Sequence, residues 1–100
     1  MQPFTRALME FQRDAYAMSK RREYIKESVE KIYYATIEAS VKRSSHSFYY
    51  TVRDITYIAD AVSISESIQD ELKELFPDFT INIGDVTSGY DRSRYICVKW

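Results

Sequence analysis

Apolar residues return along the first part of the chain at alternating steps of four and three. Phe4, Leu8, Phe11, Ala15, Met18, Arg22, Ile25, Val29, Ile32, Thr36 and Ala39 occupy one seam, broken by Arg22 and softened by Thr36. This spacing, in a run from Phe4 to Val41 that holds neither Gly nor Pro, predicts one long amphipathic helix. At 1.5 Å per residue such a helix is about 55 Å long, nearly twice the diameter of a small domain. Thr5 suits its N-cap, and Lys42 and Arg43 fall in its last turn, opposite the negative end of the helix dipole. From Ile25 onward Ile25, Val29, Ile32, Tyr33, Ile37 and Val41 form a stripe broad enough to lie on a sheet.

The pattern then changes period. His46 to Val52 alternates, with Phe48, Tyr50 and Val52 on one side, as in a half-buried strand. Ile55, Ile58 and Val62 stand at helical spacing and predict a turn or two of helix. Ser63 and Glu66 form a capping box, followed by an apolar face of Ile64, Ile68, Leu72, Leu75 and Phe76. Gln69, Asp70, Lys73 and Glu74 cover the opposite face, and Pro77 ends the helix. Phe79, Ile81 and Ile83 alternate in a second strand, and Ile96, Val98 and Trp100 in a third. An even loop around Ser88-Gly89 keeps their apolar faces together and places Ile81 opposite Ile96 and Phe79 opposite Val98.

These elements predict an α+β single domain, 1–100: a long N-terminal helix, then β-α-β-β with a three-stranded mixed sheet in the order 1-3-2. Both helices cover one sheet face, leaving Tyr49, Thr51, Thr80, Asn82, Tyr95 and Cys97 on the other. Three strands of ordinary length cover the long helix from about Ile25 on. Residues 25–100 are therefore the expected compact part, and 1–24 the projecting half of the helix.

Charge sharpens this division. Net charge is −1, yet residues 1–45 carry nine Lys or Arg against six acids, and 46–100 five against nine. The lone Cys97 excludes an internal disulfide and points to a reducing, intracellular setting. The charges Arg6, Glu10, Arg13 and Asp14 speak against a signal peptide, and no apolar run is long enough for a membrane span. Catalytic chemistry has little to work with. His46 is the only histidine, no second ligand stands at metal-binding spacing, and no Gly-rich loop could cradle phosphate, so neither enzyme, metal nor cofactor is expected.

Two surfaces are candidates for function. Leu8, Phe11, Ala15, Met18 and Arg22 make a protein-interface edge, with homo-oligomerisation through the N-terminal helix as the expected use. Arg13, Lys20, Arg21 and Lys26, interleaved with Tyr16 and Tyr24, offer the alternative: a face for nucleic acid or another polyanion. Glu23, Glu27 and Glu30 dilute that field. Finally, Phe76-Pro77-Asp78-Phe79 after a short helix, with a hairpin closing on Tyr95-Ile96-Cys97-Val98-Lys99-Trp100, resembles small α/β proteins of large DNA viruses over residues 46–100. The resemblance implies a virion or virus-factory component.

Overall fold

The computed structural model describes residues 1–43, 45–55, 58–88 and 91–100, and side chains outside 86–92. Helix α1 runs Arg6–Lys42, strand β1 Ser47–Arg53, helix α2 Ala61–Leu75, and strands β2 Thr80–Ser88 and β3 Asp91–Lys99. The chain is an α+β domain with principal extents of 60 × 31 × 19 Å, the long dimension matching a helix of this length. Thr5 caps α1, its hydroxyl accepting from the Leu8 amide at 3.2 Å.

The sheet order is β1-β3-β2. β1 and β2 run in the same direction, but β3 lies between them and pairs antiparallel with both, so the sheet expected to be mixed has no parallel neighbours. In β2–β3, Ile81 faces Val98 and Ile83 faces Ile96, two residues away from the expected register. Parity is kept, so the apolar face is unchanged. The expected register would have put Ile83 against Arg94; the observed one pairs three apolar positions and sets Phe79 beside Trp100, ring centroids 5.8 Å apart. Asp85 lies across from Arg94 and binds its Nε at 3.0 Å. The expected turn at Gly89 lies outside the described residues.

α1 and α2 share the inner face. Ile25, Val29 and Ile32 from α1, Ile64, Ile68 and Leu72 from α2, and Val52, Ile81, Ile96 and Val98 from the strands form one core. The buried row of α1 follows the seam, with Ser28 and Thr36 included, and not the broader stripe: Ile37 and Val41 are exposed. A straight helix rotates past a narrow sheet, which leaves the stripe's margins in solvent. Phe76 carries the core outward, stacked between Tyr33 (5.4 Å) and Phe79 (5.0 Å).

Two local expectations are corrected around α2. The N-cap is Asp60, three residues upstream of the expected cap Ser63, which lies inside the helix; Asp60 Oδ1 accepts from the Ser63 amide at 2.7 Å. Asp54 Oδ1 accepts from the Ala61 amide at 2.5 Å, so two carboxylates serve the positive end of the helix. Before it, Ile55 and Ala59 form an antiparallel bridge and the Ile58 amide donates to the Ile55 carbonyl at 3.0 Å; the middle of the expected helical turn lies outside the described residues. Leu75 is exposed, and Gln69 is drawn inward, its Nε2 donating to the Ile81 carbonyl of edge strand β2 at 2.8 Å. Phe76 leaves the helix before Pro77, as a residue preceding proline must.

A polar cluster joins α1 to β1. The Ser28 and Tyr50 hydroxyls are 3.2 Å apart, and Tyr24 lies against them. Burial pushes the Tyr24 phenol above its ordinary value, and neighbouring Tyr50 adds to this, while bonds from Ser28 and the Arg53 backbone pull the other way. A phenol whose folded pKa exceeds its unfolded value contributes stability that is complete below the unfolded pKa of about 10 and is lost as pH rises through the folded value. Urea midpoints are therefore expected to fall more steeply above that pH in the parent than in Tyr24→Phe. Equal slopes would contradict this.

Candidate functional site

The N-terminal half of α1 has no second layer over it. Phe4, Phe11 and Met18 are 64, 72 and 62% exposed, Leu8 36%, and Ala15 is exposed as well. The first buried residue along α1 is Ile25, two turns past Met18 and one past Arg21. Leu8, Phe11, Ala15 and Met18 thus form an apolar edge about 15 Å long, exposed along its length up to the groove that Met18 shares with α2.

That edge ends in a groove. Met18, Arg21, Arg22, Ile25 and Lys26 of α1 and Ser67 and Glu71 of α2 enclose about 450 Å³. Two apolar side chains form part of its lining; three cations, one carboxylate and the Ser67 hydroxyl form the rest. Arg22, which interrupts the seam, is exposed and belongs to this lining. Its place in the seam marks where burial against α2 begins.

The basic residues do not act as one patch. Arg21 is taken up internally: its Nη2 donates to the Ser67 hydroxyl at 2.8 Å and the Ser63 hydroxyl at 3.0 Å. Lys20 pairs with Glu23 at 3.4 Å and sits 5.6 Å over the Tyr16 ring. Arg13 stands two turns away, its Nη2 3.9 Å from the Met9 sulfur. Only Arg22 and Lys26 remain as groove cations with neither an ion pair nor a side-chain hydrogen bond among the described residues. Arg21 was legible as a cation but its partners were not; Ser63 and Ser67, at i,i+4 on one face of α2, were the available signal.

Arg21→Ala should lower stability by about 1–2 kcal/mol, since charge-assisted bonds to partly buried hydroxyls are lost. Arg21→Lys should recover only part of it, because a lysine ammonium does not reach as far as the Nη2 that bonds both serines. A urea midpoint unchanged in Arg21→Ala would show the bonds to be energetically idle.

Among the described residues no cluster of three or more His, Cys, Asp or Glu is placed to hold a metal, and no helix is long and apolar enough to cross a membrane. Compared with protein-family models, curated proteins and solved structures, the chain matches none.

Proposed function

We propose that this chain is a non-enzymatic assembly protein, and that Leu8, Phe11, Ala15, Met18 and Arg22 join it to a partner helix, foremost that of a second copy. One observation carries the reading: a continuous apolar edge lies open along half of α1 while the rest of the seam is buried in the chain's own core. Leaving side chains such as Phe11 and Met18 in water forgoes roughly 1.5–3 kcal/mol each, and an uncovered helical arm is marginal by itself. A second copy offers the same edge, so two arms can cover one another by a two-fold.

Residues 46–100 resemble small α/β proteins of large DNA viruses, which extends the proposal to a virion component in a reducing, intracellular setting. The polyanion reading of Arg13, Lys20, Arg21 and Lys26 has less support, because Arg21 is bonded to α2 and Lys20 to Glu23. Light scattering across a size-exclusion peak tests the proposal. A mass above the 11.8 kDa monomer is expected at micromolar concentration; a strict monomer at high micromolar concentration would rule out self-assembly.

A further inference from the structure

The sheet has a second face, turned away from both helices, and its composition points to a different partner. Alternation along the strands puts Tyr49 and Arg53 of β1 there, with Tyr95 and Lys99 of β3 and Asn82 of β2. The Tyr49 and Tyr95 rings are neighbours, centroids 5.9 Å apart and tilted by 57°. Tyr49 is 59% exposed. Tyr95 lies down across β2 because its partner there is Gly84, where a Cβ would overlap the phenol ring. A glycine here lets the ring recline on the strand and turn its face outward. Cys97, directly opposite Tyr49 on the same face, is buried, so this centre is a continuous floor.

Cations bracket the floor. Lys99 stands in the row at one end and Arg53 in the row at the other, both exposed. Among the described side chains of this face there is no carboxylate; the acids of α2 lie beyond the opposite face. Thr51 and Asn82 supply exposed hydrogen-bonding groups between the cations, and Thr80 another beside Lys99.

We propose that this face binds single-stranded nucleic acid, with bases stacked on Tyr49 and Tyr95 and backbone phosphates toward Arg53 and Lys99. Paired rings take unstacked bases, which have a π-face whatever their identity, and a cation at each end suits a strand passing over them. A face-to-face second copy fits less well, because it would bury Arg53 and Lys99 with no acid among the described side chains of this face to meet them. An acidic peptide would satisfy the cations and leave the rings unused. This surface is remote from the Leu8–Met18 edge, so the two proposals stand or fall separately.

Fluorescence anisotropy of labelled oligouridylate and oligothymidylate, titrated with the full chain, tests it; the two oligomers separate RNA from DNA preference, and a duplex is the control. Binding to the single strands over the duplex is expected. Two phosphate contacts imply a shallow slope of log affinity on log salt, about −1.4. Tyr49→Ala and Tyr95→Ala should each weaken binding roughly 5- to 150-fold, the cost of one stacked base, while Tyr49→Phe retains it. Tyr49 is too exposed for its loss to threaten folding, and an unchanged urea midpoint confirms that. The proposal is overturned if the parent binds neither strand, if Tyr49→Ala binds as the parent does, or if duplex is bound equally. It is overturned too if binding is lost only on reversing Lys20, Arg22 and Lys26, which would place it on α1, or if Tyr49→Ala changes the assembled mass instead.

Discussion

Leu72→Ala and Ile32→Ala should each lower the free energy of unfolding by about 2–5 kcal/mol. Both side chains are fully buried in one core, Leu72 from α2 and Ile32 from α1. Truncation removes their transfer energy and leaves a cavity that two helices held against a sheet can close only in part. A domain of this size has on the order of 5–15 kcal/mol in total, so either change would consume a large share of it. Leu75→Ala is the internal control: Leu75 shares the sequence pattern of Leu72 but is 48% exposed, and its loss should be far smaller. Urea melts decide. A loss below about 0.5 kcal/mol for Leu72 or Ile32, the range of ordinary surface changes, would mean that the helix faces are misassigned.

The second large effect concerns assembly. Deleting residues 1–18 should abolish any self-association and leave a folded monomer. Every buried side chain of α1 lies at Ile25 or beyond, and the deletion stops short of Arg21, so the bonds to Ser63 and Ser67 survive. Removing Leu8, Phe11 and Met18 takes away the edge on which association rests. The expected pair of results is a fall to monomer mass and a cooperative urea melt close to that of the parent. If the remainder unfolds, the first half of α1 belongs to the internal core. If it folds and still associates, another surface joins the copies.

Much of the fold was legible because burial and periodicity agree. The seam from Ile25 to Ala39 and the alternation of β1 and β3 each admit one arrangement that buries an apolar face, and the split order follows from placing Val98 at the centre. The errors fall where two arrangements bury nearly the same surface. Hairpin registers two residues apart keep the same face inward, and only the fate of Ile83 and Arg94 separates them. Asp60 and Ser63 are both good N-caps, and the choice rests on Asp60 reaching the Ser63 amide. The candidate edge was visible as unburied seam. The internal use of Arg21 was not, since a cation's sequence neighbours say nothing of hydroxyls brought to it by another helix.

The middle strand of the sheet is also the last of the three to be synthesised. β1 and β2 have no ladder with one another, and both await β3. A chain held on the ribosome before residue 91 can therefore wind its helices but has no adjacent pair of strands. β1 precedes β3 by nearly 40 residues, a delay of about 2–8 s at ordinary elongation rates. Until β3 is in place, the stretch of α1 from Ile25 that later becomes core has no complete sheet to pack on. If the proposed edge joins two copies, closure of β3 is the step that confines their contact to the outer half of each seam, because it withdraws the part from Ile25 on into the chain's own core.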